Sequence, residues 1–317
     1  MRINLMIEPQ EGMTYAEILA LARRAELLGF EGLYRSDHYA SVFGRNGVGS
    51  TDAWATLAGL VRDTERIALG TLISPVTFRS AANLAKVVAT VAEMACGPAA
   101  RVHLGMGTGW LASEHLQYGF PFDSLGTRYR RLEECLRVVR GLWESLEPFS
   151  FEGEFERITE ARFVPRPNPR PRIILGGRGR VKTVPLAVRY ADELNSPSAT
   201  PETCRELRGV LDAACERLGR DPSTITFSLM TGCLVGATEK EFRARVARLE
   251  AQASKYPHLA EYRERLVTRG VVGTPEQAAD RLGQLAESGV ERVMLQHLPA
   301  DDLDLLDVVA NEIAPRL

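Results

Sequence analysis

The chain lacks paired cysteine motifs, a membrane-length apolar run and any marked excess of one charge. Its five cysteines, Cys96, Cys135, Cys204, Cys215 and Cys233, are odd in number and none is spaced as CxxC. That argues against a disulfide framework or a zinc ribbon and for reduced thiols. The apolar runs are broken by charge well short of a membrane span. Met1-Arg2-Ile3-Asn4-Leu5 enters an apolar strand without the pattern of a signal peptide, so a soluble, cytoplasmic protein is expected. Lys and Arg total 39 against 41 Asp and Glu, a formal net charge of −2. This balance exerts no long-range pull on nucleic acid or anionic lipid, and neither is expected as a partner. No GxxxxGK[ST], HExxH or GxSxG occurs. The spacing of His103, His115, His258 and His297 gives no helical ligand pair, so no metal is expected.

What remains is an ordinary globular composition, 45% hydrophobic and 25% charged over 317 residues. That length suits two domains or one barrel-sized domain. Short apolar runs alternate with amphipathic stretches. Strands are predicted at Arg2–Ile7, Gly32–Arg35, Ile67–Ile73, Arg101–Met106, Arg172–Leu175, Glu193–Asn195, Thr226–Val235 and Arg292–Leu295. Helices are predicted from Thr14 (with Glu17 completing a capping box), then about Asp52–Arg62, Ala81–Met94, Tyr129–Leu146, Val181–Tyr190, Glu202–Leu218, Glu239–Ala253, Pro275–Ser288 and Leu303–Ile313. Phe149–Phe155 reads as a tight hairpin, and Pro165, Pro167, Pro169 and Pro171 carry an extended segment. Strand–helix alternation repeated about eight times implies parallel strands, in a closed barrel or a doubly wound sheet. The count favours a (β/α)8 barrel, one domain over 1–317 with an insertion at about 148–171.

In such a barrel the chemistry sits just after each strand. Ser36-Asp37-His38-Tyr39 follows the second strand, and a carboxylate beside an imidazole there would move a proton near neutral pH. A Gly-rich loop, Phe43-Gly44-Arg45-Asn46-Gly47-Val48-Gly49, comes next. The third strand runs into Leu72-Ile73-Ser74-Pro75-Val76-Thr77-Phe78-Arg79, whose apolar end suits the face of a flat ring. Gly105-Met106-Gly107-Thr108-Gly109-Trp110 ends the fourth, but Trp110 stands where a dinucleotide fingerprint needs its third glycine. Gly176-Gly177-Arg178-Gly179-Arg180 ends the fifth just before a helix, a better phosphate cradle with Lys182 adding charge. His297 follows the eighth strand and is a candidate for the mouth. His103 reads as packing within a strand, and Cys233 as inert core.

Read together, these strand ends resemble the bacterial luciferase-like flavin and deazaflavin oxidoreductases, and specifically their coenzyme F420-dependent branch. The matching segments are Ser36-Asp37-His38, Gly70-Thr71 with Pro75-Val76-Thr77-Phe78-Arg79, Gly105–Trp110, Tyr118-Gly119-Phe120-Pro121 with Arg128 and Leu132-Glu133-Glu134, Ile174–Gly177, Tyr190-Ala191-Asp192 and Gly273-Thr274-Pro275-Glu276. The resemblance implies a TIM barrel with an insertion near the fifth strand. It implies that Leu72, Ile73 and Ser74 back the (deaza)isoalloxazine, often through a non-prolyl cis peptide. Asp37 and His38 would lie at the reactive ring, His38 handling the proton. Gly107, Thr108 and Gly109 would touch the ribityl or phosphate region, with Gly176, Gly177 and Gly179 giving amide contacts to phosphate. Arg178 and Arg180 would suit the acidic tail of F420. Tyr39, Phe43, Trp54, Met106, Trp110 and His297 would shape a pocket for an apolar or ring-containing substrate.

Three departures stand out. Ser80-Ala81 replaces the family's His-Pro, Trp110 replaces the Glu of the sugar-phosphate dehydrogenases that share Ser-Asp-His, and the second glycine turn is unusually basic. The expected reaction is hydride transfer between F420 and an organic substrate. The alternatives are an FMN monooxygenase that consumes O2 and is fed by a partner flavin reductase, and a flavin-binding barrel without catalysis. A homodimer is expected from the resemblance.

Overall fold

The structure is a computed structural model that describes residues 1–45 and 47–317. Asn46, placed by sequence in the Gly-rich loop, lies outside the described residues. In chain order the elements are β1 (Arg2–Ile7), α1 (Tyr15–Leu27), β2 (Gly32–Arg35), α2 (Ala53–Asp63), β3 (Ala68–Thr71), β4 (Ser74–Pro75), α3 (Ala81–Met94), β5 (Val102–Gly107), α4 (Ala112–Tyr118) and α5 (Leu125–Glu144). Then come β6 (Phe149–Glu152), β7 (Arg157–Ala161), β8 (Arg172–Gly176), α6 (Thr183–Tyr190), β9 (Glu193–Pro197), α7 (Pro201–Leu218) and β10 (Thr226–Val235). The chain closes with α8 (Glu239–Ala253), α9 (Pro257–Arg269), β11 (Val271–Gly273), α10 (Pro275–Glu287), β12 (Arg292–His297) and α11 (Asp304–Val308).

The pairing order β12-β1-β2-β3-β5-β8-β9-β10, with β10 returning to β12, closes a parallel cylinder. This is the (β/α)8 TIM barrel expected from the alternation. The reason is local: each apolar strand must return through a helix to pair in parallel. Alternate residues divide the core. Met6, Tyr34, Leu72, Ile174 and Met294 fill the barrel, while Leu5, Ile7, Leu33, Ile173, Leu175 and Leu295 pack outward on the helices. Met106 belongs to the outer core, not to a mouth pocket.

The lower end of the barrel is polar. Arg292 donates to Glu31 at 2.6 Å, to Tyr34 Oη at 2.7 Å, to Asn4 at 3.1 Å and to Glu193. Tyr34 in turn donates to His103 Nδ1 at 2.6 Å. Burial, with Arg292 and Arg172 nearby, pushes His103 down to about 3, so it serves as a neutral acceptor within the packing.

Several boundaries differ from the expectation. The third predicted strand breaks after Thr71 and resumes as β4. Gly70 pairs with His103 and Ser74 with Met106, so this edge carries one residue more than its partner. That is a β-bulge, and the Leu72–Ile73 bond within it is a cis peptide. α5 starts at Leu125, because the Ser124 hydroxyl caps it by accepting from Thr127 N. The hairpin is β6 paired with β7, its turn held by the Glu134 carboxylate, which accepts from the amides of Glu154, Phe155 and Glu156 at 2.7, 2.8 and 3.0 Å. It is longer than the Phe149–Phe155 unit expected. Ser80, where the family has His, caps α3. Helices α4 and α9 and strand β11 were not predicted.

Candidate functional site at the barrel mouth

The C-terminal ends of the strands converge on a shallow bowl. Its floor is Ile73, Gly176, Pro197 and Met230, each partly exposed where the flanking core residues are buried. Ile73 leaves the bulge to lie across the barrel. A Cβ on Gly107 would come within 2.9 Å of its side chain, and one on Gly176 within 2.7 Å. These two glycines therefore make room for Ile73.

His38 stands at the rim with its side chain 12% exposed. Its Nδ1 donates to Glu114 Oε1 at 2.8 Å, while Glu114 Oε2 accepts from the Tyr39 amide at 3.0 Å. An ionised carboxylate only accepts, so Nδ1 carries hydrogen and Nε2 is the atom left to exchange a proton. Burial alone would lower the His38 pKa. The hydrogen bond and charge of Glu114, helped by Glu8 and Asp37, outweigh it and raise the pKa above the ordinary histidine value. Glu114 itself is fully buried on α4. It is the partner that sequence reasoning missed, 76 positions from His38.

Because the folded pKa is raised, this pair contributes stability that is complete below the unfolded value of about 6.5 and is lost as pH rises through the folded value. Glu114→Gln removes the charge but keeps an acceptor. The His38 titration midpoint, followed by NMR, is expected to fall. An unmoved midpoint would show that Glu114 does not set it.

Asp37 does something else. Its carboxylate accepts from Arg79 Nη1 and from Ser74 Oγ, at 2.6 and 2.7 Å, and Ser74 Oγ accepts from Trp54 Nε1 at 3.0 Å. Arg79 also reaches Asp52 at 2.6 Å. Asp37, Ser74 and Trp54 thus form one buried clamp behind the bulge. The structure places Asp37, Ser74 and Trp54, expected at the reactive ring, behind the ring and in the substrate pocket, within this buried network, with their side-chain polar atoms engaged by one another and by Arg79. Leu72 is 8% exposed and packs into the barrel, leaving Ile73 as the bulge residue that presents a surface.

Trp110 is 62% exposed and meets His38 edge-on, ring centroids 5.7 Å apart. Tyr39 joins Phe78, Tyr118 and Phe120 in an aromatic wall with centroids 5.1–5.2 Å from its own. Thr77 donates to His115 Nε2 at 2.7 Å and His115 Nδ1 donates to the Leu111 carbonyl at 2.7 Å, tying that wall to α4. Thr108 is partly exposed beside it. The Gly109 carbonyl is held by buried Arg128, which also reaches the Thr108 carbonyl at 3.4 Å. Phe43 is buried against Tyr262, away from this bowl. His297 registers with outward-facing Ile7, and both its ring nitrogens lack a partner among the described residues. Burial pushes its pKa down to about 4. Alternation turns it toward the helices, so it does not reach the mouth.

The basic glycine turn is used differently from the expectation. Gly177 N donates to the Asn195 carbonyl at 2.9 Å, so that amide is not available to a phosphate. The Gly179 carbonyl accepts from Val184 N at 3.1 Å to start α6. Arg180 pairs with Glu206 at the surface. Arg178 instead lies within reach of the charges of Arg265 and Arg269 on α9. Burial and then these two cations lower its pKa. None of the three has an ion-pair partner among the described residues, although Arg269 donates to the Ser198 carbonyl at 3.3 Å. No group of three or more His, Cys, Asp or Glu side chains among the described residues is placed to hold a metal. No helix among them is long and apolar enough to cross a membrane.

Comparison with known proteins agrees with this barrel. The luciferase-like monooxygenase family matches residues 2–292, and the chain belongs to that family of enzymes. It is 28% identical over 319 aligned residues to an F420-dependent glucose-6-phosphate dehydrogenase of Microbacterium testaceum (strain StLB037), covering 95% of this chain and 93% of that protein. It is 25% identical to an FMNH2-dependent dimethylsulfone monooxygenase of Pseudomonas putida, covering 86% and 80%. A solved F420-dependent secondary alcohol dehydrogenase superimposes with a TM-score of 0.84 at 21% identity, covering 99% and 98% of the two chains, a likeness of fold.

Proposed function

We propose that this chain is an F420-dependent oxidoreductase that moves a hydride between the deazaflavin and an organic substrate at the barrel mouth. The observation that carries the choice is the similarity over 95% of the chain to a relative named for that coenzyme. Arg178, which feels the charges of Arg265 and Arg269, adds support, since three cations without ion-pair partners among the described residues suit a tail bearing several acidic groups. When bound, F420 supplies the hydride chemistry. The chain's own residues do the rest. Ile73 and Met230 offer an apolar floor to a flat ring, and the arginine trio orients the acidic end. His38, held by Glu114, gives or takes a proton at Nε2. Trp110 and the Tyr39 wall offer aromatic surface that favours an apolar or ring-containing substrate.

A second reading is an FMNH2-dependent monooxygenase served by a separate reductase, favoured by the similarity to the dimethylsulfone enzyme. A barrel that binds flavin without turnover is the third. Side-by-side titration with F420 and FMN separates the first two. F420 is expected to bind more tightly, and Arg178→Ser with Arg265→Ser to weaken it about tenfold or more while weakening FMN less. Preference for FMN, with O2 consumed during turnover, would replace this proposal. Tight F420 binding with no turnover over a substrate screen would favour the third. Pairing of two chains belongs to the same proposal, with sedimentation as its measurement.

A further inference from the structure

Beyond the bowl, a cavity of about 200 Å3 lies between the α8–α9 pair and the barrel. Phe43, Leu234, Leu249, Leu259, Tyr262 and Leu266 give it apolar walls. Neither His38, Trp110, Ile73 nor Met230 lines it. Packing voids in protein interiors seldom exceed one water molecule, and an apolar cavity of about 150 Å3 accepts benzene, so this space has ligand size. Its charged rim is hydrogen-bonded internally. Arg245 pairs with Asp302 and Arg248 with Asp301, each at 2.7 Å. Arg45 donates to the Glu11 carbonyl at 2.8 Å. The Glu11 carboxylate accepts from Ser41 Oγ at 2.7 Å and from Val42 N at 2.8 Å. Arg245 and Arg248 are thus neutralised, and Arg45 and Glu11, one of each sign, are held by hydrogen bonds, so the rim carries no net excess of one charge for an ionic occupant to answer.

We propose that this cavity is a second small-molecule site, separate from the cofactor bowl, that takes an uncharged, mainly apolar molecule of about ten heavy atoms with at most one hydroxyl or carbonyl group. Two walls connect it to the chemistry. Tyr262 spans from the cavity to the inner face of β10, where a Cβ on Gly232 would come within 2.7 Å of its hydroxyl. Glu11, through Ser41 and Val42, anchors the loop that follows His38. An occupant here presses on both elements without entering the bowl.

The test uses the full-length protein, with 1-octanol, octanoate and octylamine as probes in calorimetric titration and xenon-pressurised crystals as a direct view. Expected are xenon density within these walls, one-to-one binding of 1-octanol, and binding at least tenfold weaker for both charged probes. Leu259→Trp is expected to abolish octanol binding, and the milder Leu249→Phe to weaken it at least tenfold, with titrations of F420 and FMN unchanged in both variants. Octanol that competes with either cofactor, binds both filled variants as well as the parent, or fails to bind would overturn the proposal. So would charged probes binding as tightly as octanol. Failure here leaves the coenzyme titrations unaffected, so the two readings fall separately.

Discussion

Replacing His38 with alanine is expected to lower turnover about 10²- to 10⁴-fold while leaving coenzyme affinity nearly intact. The magnitude is that of a positioned acid–base group. The selectivity follows from geometry, because His38 is held at the rim by Glu114 and not within the arginine trio. His38→Gln controls for packing: it can still donate toward the buried Glu114 but cannot shuttle a proton at neutral pH. Both variants should therefore be slow, and only the alanine should also leave Glu114 with a lost partner and lower the melting temperature. Steady-state kinetics with coenzyme titration checks this. Turnover at the parental rate in either variant would remove His38 from the mechanism. Asp37→Asn should behave differently, lowering melting temperature first, since its carboxylate holds Arg79 and Ser74 behind the bulge.

The second large effect lies at the opposite end of the barrel. Glu193→Leu is expected to destabilise the fold by about 1–3 kcal/mol, because Arg292 loses its fully buried carboxylate and keeps only the half-buried Glu31 as an ion-pair partner. Arg292 is 1% exposed and Glu193 fully buried, and their ion pair is direct. Burial opposes the charge on Arg292, but Tyr34, Glu193 and Glu31 together raise its pKa, so it will not shed a proton to escape. The double variant Glu193→Leu with Arg292→Met should recover most of the loss, since a buried pair replaced by apolar side chains of similar volume is often neutral. Midpoints of denaturant unfolding for the two variants decide it. A double variant no better than the single one would show that the network, not the charge deprived of its buried carboxylate, carries the stability. Neither variant should alter His38 chemistry at the far end of the cylinder.

Much of the architecture was legible because it is written in local periods. The strands Arg2–Ile7, Gly32–Arg35 and Thr226–Val235 were read with the boundaries observed, as was helix Ala81–Met94. The capping box of Thr14 and Glu17 forms as its spacing requires. What escaped was short or irregular. α4 spans seven residues with no side-chain cap, too brief to show a helical period. The bulge at Leu72–Ile73 interrupts an apolar run that reads as one strand, since pairing with β5 and not composition creates the break.

The site divides along the same line. The order of elements along the chain determined a parallel barrel with Ser36-Asp37-His38 at a strand end, and the resemblance of its strand-end motifs pointed to the luciferase-like family, because each of those signals lies within a few consecutive residues. Only the folded barrel decided that His38 answers to Glu114, that Asp37 is consumed by Arg79, that His297 faces away and that Arg178 lies within reach of the charges of two arginines of an unforeseen helix. Charge interactions and hydrogen bonds depend on distance in space, and barrel closure brings together residues tens of positions apart that no local pattern can pair.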